Sequence, residues 1–341
     1  MIGFWYPNTS RALALASCRY RIANPLEGAG PERAVVVYGP GFPGDVLGRG
    51  AACVVLRPFL AGRILAKVRR LKSAGVRLIA DFDDLLFGGD PALYPLVLAG
   101  RRSRRQLGKQ QQTYRQGLQW FDGFSVATRP LAEEMKKAIP DRPVTVVPNL
   151  PSRSWIEQGR LLYPPWKPGD EKVIRYLSGS PSHDADFESV RPVLERFLRD
   201  NPDVRLEMVG HLNCKMSAAK QGQVLFGPAV PFDHIPRYLA SSWVTLAPLL
   251  DTPFCRCKSG VKFLESAAFG CPCIATPVPD IRTHLEGGVL CADGAETWRQ
   301  HLETLLNDDY RMKLGEQGRA YVDGLAGAGR SWSCLREATA G

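Results

Sequence analysis

The stretch that decides the fold is Lys258-Ser-Gly-Val-Lys-Phe-Leu-Glu265-Ser-Ala-Ala-Phe-Gly270-Cys-Pro272, which runs on into Cys273-Ile-Ala-Thr-Pro277. Lys258 and Lys262 are four residues apart and share one face of a short amphipathic helix. Glu265 lies three residues further on, near the same face. Ser259 and Gly260 permit close approach of the backbone. Two cations and the N–H groups of a helix start suit a diphosphate, and a carboxylate two turns on suits a pair of sugar hydroxyls. The alternative is an ordinary helix with a surface Lys–Glu pair. The glycine and proline that lead straight into an apolar strand argue against it, and a nucleotide-sugar is the expected ligand.

Working outward, the chain repeats this strand–helix alternation. Met1–Pro7, Ala34–Tyr38, Cys53–Leu56, Arg77–Asp81, Gly123–Ala127 and Val144–Val147 read as strands, with helices over 60–74, 101–120 and 130–139. Runs apolar on both faces indicate buried parallel strands. Residues 151–171 are dense in proline and read as a linker. A second alternation has strands at Lys172–Leu177, Val204–Val209, Gln223–Phe226, Trp243–Ala247 and Cys273–Thr276. Its helices are expected over 186–200 (capped by Asp184 or Asp186), 233–241, 259–269, 295–307 and 309–323. The fold class is α/β, with two doubly wound, Rossmann-like domains facing a cleft. The expected boundaries are 1–150, the linker 151–171, 172–325, and a tail 326–341.

The net charge of +10 is uneven: residues 1–150 hold 22 Lys and Arg against 11 Asp and Glu. The excess gathers in Lys67-Val-Arg-Arg-Leu-Lys72 and Arg101-Arg-Ser-Arg-Arg105 through Lys109. Such clusters attract anionic lipid or phosphate-bearing substrates, or form a solvated helix face. They lack interleaved aromatics and any known module, so nucleic acid is not an expected partner. The nine cysteines show no metal-ligand spacing and read as cytosolic thiols. No apolar run approaches the roughly 20 residues of a membrane span, and the N-terminus reads as a strand, not a signal peptide. The expected location is cytoplasmic, with peripheral association at an anionic membrane.

Three further groups sit where strands end. Gly179-Ser180 and His183 form a small-residue turn after a strand, of the kind that lets N–H groups approach phosphate; His183 also fits a loop or capping role. Asp81-Phe-Asp83-Asp84 places three carboxylates at a strand terminus, where they repel unless solvated, paired or bound to a cation. Arg57 follows its strand and suits an anionic acceptor or a phosphate.

The segment Glu265-Ser-Ala-Ala-Phe-Gly-Cys-Pro-Cys resembles the donor motif of GT-B glycosyltransferases with group-1-type C-terminal domains. Val144-Thr-Val-Val-Pro-Asn149, Phe121–Thr128 and Gly287-Gly-Val-Leu extend the resemblance over most of the chain. It implies a mostly retaining, metal-independent transfer from a nucleotide-sugar, with no cofactor. The Lys-Ser-x-x-Lys-Phe-x-Glu pattern is similar to a bacterial subgroup linked to surface polysaccharides, which implies a glycan or lipid-linked acceptor. By that resemblance Glu265 binds the donor ribose. The family's first glutamate, eight residues earlier, is replaced by Cys257, and its usual Arg/Lys pair is not evident. Gly179, Ser180 and His183 occupy that place, and Lys258 and Lys262 supply positive charge to the leaving diphosphate. Asp83 or Asp84 then acts as a base or holds the transferred sugar, and Arg57 and Asp81 line the acceptor side. A metal-binding D-x-D reading belongs to the other large glycosyltransferase fold, which leaves the segment near 265 unexplained. A non-catalytic GT-B-like binding protein is the alternative function.

Overall fold

A computed structural model describes residues 1–7, 15–30, 34–39, 41–216, 220–325 and 327–340. The first sheet contains β1 (Ile2–Tyr6), β2 (Ala34–Tyr38), β3 (Ala52–Leu56), β4 (Arg77–Phe82), β5 (Gly123–Val126) and β6 (Val144–Val146), in the order β2-β1-β3-β4-β5-β6. The second contains β7 (Lys172–Ser178), β8 (Val204–Gly210), β9 (Val224–Gly227), β10 (Val244–Ala247), β11 (Cys273–Ala275) and β12 (Leu290–Cys291), in the order β12-β11-β10-β7-β8-β9. The pairings are parallel throughout. This is the doubly wound pair of α/β sheets that the alternation predicts. Strand order reverses between β1 and β3 and between β7 and β10, the points where such sheets take ligands beyond their carboxyl ends.

Burial explains the strand sequences. Every residue of β3 and β10 is buried, so neither face carries the polar alternation of a half-exposed strand. Val68 and Leu71 of the helix Gly62–Ser73 pack on Cys53, Val55, Leu78 and Phe82 in the first half. Leu194, Phe197 and Leu198 of the helix Arg191–Asp200 pack on Ile174, Leu206 and Trp243 in the second. The last helix, Gly327–Ala340, returns to the first sheet, where Trp332 and Leu335 join Phe4, Val54, Leu56, Ile79 and Val147.

The structure adds local detail to the sequence reading and corrects one helix. The proline-rich stretch 151–171 contains a helix, Arg153–Leu162, capped by the Ser152 hydroxyl accepting from Trp155 N–H. Its Trp155 and Ile156 are buried, as is Trp166 beyond it. The helix expected over 186–200 is two pieces, Asp184–Glu188 and Arg191–Asp200, the second beginning with Pro192 in its first turn. Neither Asp184 nor Asp186 caps it. Asp184 accepts from Asn213 N–H and pairs with Arg101 at 2.8 Å, and Asp186 accepts from Leu250 N–H at 2.9 Å. The sequence reading also assigned nothing to residues 16–26, which form three short helical turns after β1.

Candidate active site

The β3–β4 register sets Leu56 beside Asp81, so Arg57 and Asp83 leave the first sheet as neighbours. Arg57 has φ of 45°, unlike any other non-glycine residue among those described. Such a conformation costs free energy and persists where surrounding contacts over-determine it. Here two carboxylates do so: Arg57 Nε donates to Asp83 Oδ1, and Nη2 to Asp84 Oδ2 at 2.6 Å. Lys258 reaches Asp84 from the second half, Nζ to Oδ1 at 3.2 Å. Asp84 therefore bridges two cations from opposite sides of the cleft. Burial alone would raise the Asp84 carboxyl, but Lys258 and Arg57 outweigh it and hold it at about 2. Lys258 is held above the ordinary lysine range; burial opposes this and Asp84 overcomes it.

Asp81 does not line the acceptor side, contrary to the sequence expectation. Its side chain is buried with Arg21, whose Nε and Nη2 donate to its two oxygens at 2.9 and 2.7 Å. Ser125 Oγ donates to the same carboxylate at 2.5 Å. The repulsion among the three aspartates is thus relieved by separation: Asp81 turns inward to one arginine, while Asp83 and Asp84 turn outward to another.

On the second sheet, β7 ends at Ser178 and leads into Gly179, Ser180 and His183. A Cβ on Gly179 would meet nothing within 4 Å, and Ser180 Oγ lies 2.6 Å from Ser182 Oγ. His183 Nδ1 is 2.9 Å from Asp186 Oδ2. Burial, with Lys262 and Lys258 nearby, lowers His183 to about 4 against the pull of Asp186, so the ring is neutral at pH 7. The carboxylate then assigns the proton to Nδ1 and leaves Nε2 as an acceptor.

The opening segment folds as the helix Val261–Ala268 with Gly260 at its N-cap. It ends at Gly270, whose φ of +68° favours glycine. Lys262 Nζ lies 4.8 Å from the centre of the Tyr176 ring, and burial lowers its ammonium to about 8. Burial raises the Glu265 carboxyl, which accepts a hydrogen bond from the hydroxyl of Tyr20 across the cleft. Ser259 Oγ accepts from Asn149 Nδ2 at 3.0 Å. The close approach at Gly260 serves internal packing: a Cβ there would lie 2.8 Å from His284 Cδ2, and its N–H donates to Asp280 at 2.7 Å. Cys257 is buried in the first-half core, and its carbonyl accepts from Thr128 Oγ1 at 2.8 Å.

Lys258, Asp83, Asp84 and Arg57 thus converge directly. Lys262, His183 and Glu265 line the second-half wall beside them, and Asp81 is separated. Among the described residues no group of three or more His, Cys, Asp or Glu is placed to hold a metal ion. Residues 19–21 were missed from sequence. Their signal was positional, a cation- and aromatic-rich Cys-Arg-Tyr-Arg run after the first strand of a doubly wound sheet.

Residues 184–308 match the family model described as Glycosyl transferases group 1. Among curated proteins none matches the sequence. The architecture is similar to an α-glucosyltransferase solved with UDP (12% identity, TM-score 0.61, 98% of each chain covered). It is also similar to sucrose-phosphate synthase of Thermosynechococcus elongatus (15% identity, TM-score 0.56, 84% of this chain and 71% of that one). A protein of Listeria monocytogenes described as a UDP-N-acetylglucosamine 2-epimerase shares it too (13% identity, TM-score 0.56, 98% of this chain and 96% of that one). These likenesses establish the GT-B fold and, at such identities, the fold alone. The class comes from the family match over residues 184–308: the protein is a glycosyltransferase.

Proposed function

We propose that the protein moves a sugar from a nucleoside diphosphate-sugar to a hydroxyl of a glycan or lipid-linked acceptor. The anomeric configuration is retained, no bound metal is needed, and the product belongs to a surface polysaccharide or glycoconjugate. The observation that carries this reading is the contact of Lys258, inside the matched segment, with Asp84, which Arg57 of the other half also holds, while Lys262 and Glu265 lie on the helix that follows Lys258. The α-glucosyltransferase of the same architecture was solved with UDP, which supports a nucleotide donor.

In this reading the diphosphate lies against Lys258 and Lys262, beside the Gly179–Ser180 turn and His183, and the ribose lies on Glu265. The leaving diphosphate gains negative charge in the transition state, and fixed cations in a dry cleft stabilise it without reorganising. Lys258 is already oriented by Asp84, and an arriving diphosphate competes for it. Asp83 and Asp84, oriented by Arg57, face the acceptor, where one accepts the hydroxyl proton or holds the transferred sugar. The basic clusters at 67–72 and 101–109 dock the first half on an anionic membrane, where a lipid-linked acceptor resides. No helix among the described residues is long and apolar enough to cross a membrane. Equal flotation with neutral and anionic liposomes would refute the docking.

A non-catalytic, GT-B-like scaffold is the competing reading. Cys257 favours it, because the position of the family's first glutamate is given over to packing. A screen of UDP-, GDP-, dTDP- and CMP-sugars, with product linkage analysis, separates the two. Transfer or slow hydrolysis of one donor is expected. Binding without turnover, in the presence of an acceptor extract, supports the scaffold.

A further inference from the structure

Arg19 and Tyr20 begin a π-helical turn, Arg19–Ala23. Such turns are rare and concentrate at functional sites. The Tyr20 hydroxyl donates to Glu265. The Arg19 guanidinium stacks on Phe232, with Cζ 3.6 Å from the ring centre. Phe232 belongs to the second half, in the short turn Phe232–His234 after β9. Its ring also stacks on Trp155 at 4.9 Å and 11°, and Trp155 meets Phe269 edge-on at 5.0 Å. The aromatic platform is therefore held from behind.

Two consecutive residues of the first half thus set a planar group on an aromatic face and a hydroxyl on a carboxylate. A nucleoside presents the same two features: a planar base, and ribose hydroxyls one sugar away. We propose that Phe232 is the platform for the base of the donor nucleotide, beside Glu265 for its ribose, and that Arg19 and Tyr20 occupy both places in this conformation as a built-in placeholder. This rests on the donor reading above. The next residue, Arg21, is anchored in the first-half core by Asp81, so the nucleoside expels the two side chains without unravelling the turn. Expulsion also breaks a contact between the halves, which couples nucleotide entry to opening of the cleft there.

The test is calorimetric titration of UDP, GDP and inorganic pyrophosphate into wild type, Tyr20→Phe and Phe232→Leu. Tyr20→Phe removes the hydroxyl that competes for Glu265. Hydrogen bonds to charged groups are strong enough that nucleotide affinity should rise roughly tenfold. Phe232→Leu should lower nucleotide affinity roughly tenfold, the loss typical of a base–aromatic stack. Pyrophosphate has no nucleoside, so its affinity should stay the same in both variants. If nucleotides bind the wild type and Tyr20→Phe binds them no more tightly, the placeholder is overturned and the donor reading stands. If neither nucleotide nor pyrophosphate binds any of the three, the donor reading fails and the placeholder with it. Should Tyr20→Phe not fold, Arg19→Met gives the same comparison, because it removes the planar cation from Phe232 and should likewise tighten nucleotide binding.

Discussion

Replacing Asp81 with asparagine distinguishes its buried role from the acceptor-side role expected from the sequence. The Arg21 and Asp81 side chains are 0% and 1% exposed. In Asp81→Asn the amide keeps one acceptor oxygen and loses the charge. Arg21 is then left with the carbonyl of Val147 and, at 2.9 Å, Asn149 Oδ1, neither of which neutralises a buried guanidinium. Removing one partner of a buried ion pair costs about 3–5 kcal/mol. A domain of this size loses roughly 2–4 °C per kcal/mol, so Tm should fall by roughly 6–20 °C. Circular dichroism melts and urea titrations measure this directly. Arg21→Met combined with Asp81→Leu removes both charges and should recover much of the loss, since apolar replacements of buried pairs are often neutral or better. Below the melting transition, donor binding by Asp81→Asn should stay within about twofold, because the carboxylate makes no contact in the cleft. An unchanged Tm together with lost transfer would refute the reasoning and return Asp81 to the acceptor site.

Other outcomes follow from the same geometry. Asp84 is held at about 2 against an ordinary 3.8, so its pairing stabilises the fold above pH 4 and the contribution disappears as pH falls toward 2. Asp84→Asn should therefore cost about 2 kcal/mol at pH 7 and little at pH 2, measured by urea titration at both. Lys262, lowered to about 8 by burial, gains a proton when a diphosphate binds above that pH. UDP affinity should be flat below pH 8 and fall by up to about tenfold per unit above it, with proton uptake visible in calorimetry buffers of different ionisation heat. Trp332→Ala, which empties a buried site between the last helix and Phe4, should cost about 3–5 kcal/mol and lower Tm accordingly. Glu265→Gln, folded as judged by near-ultraviolet circular dichroism, should weaken UDP binding roughly tenfold if Glu265 holds the ribose.

The fold was legible because doubly wound sheets write their pattern locally. Apolar runs such as Val54-Val-Leu56 and Val244-Thr-Leu-Ala247 are buried on both faces, and the glycine and proline after Glu265 mark a helix feeding a strand. The second-half wall of the candidate site could be grouped from sequence for the same reason, since Lys258, Lys262 and Glu265 lie within one segment. Less could be read where structure is short or interrupted. The turns over 16–26 are too brief to show a period, and the prolines around 151–171 hid a helix whose signal is one Ser cap and the pair Trp155–Ile156.

Roles that depend on partners far along the chain could not be read at all. The sequence set three aspartates at one strand end. Which of them is buried with Arg21 and which face Arg57 and Lys258 depends on residues 60 and 174 positions away. The same holds for Tyr20 and Glu265, separated by 245 residues. Sequence alone determined two α/β halves and a helix carrying cations and a carboxylate, because periodicity and turn chemistry act over a few residues. Tertiary structure decided which charges meet, because pairing free energy depends on distance and desolvation, and both are set only when the two sheets close on their shared cleft.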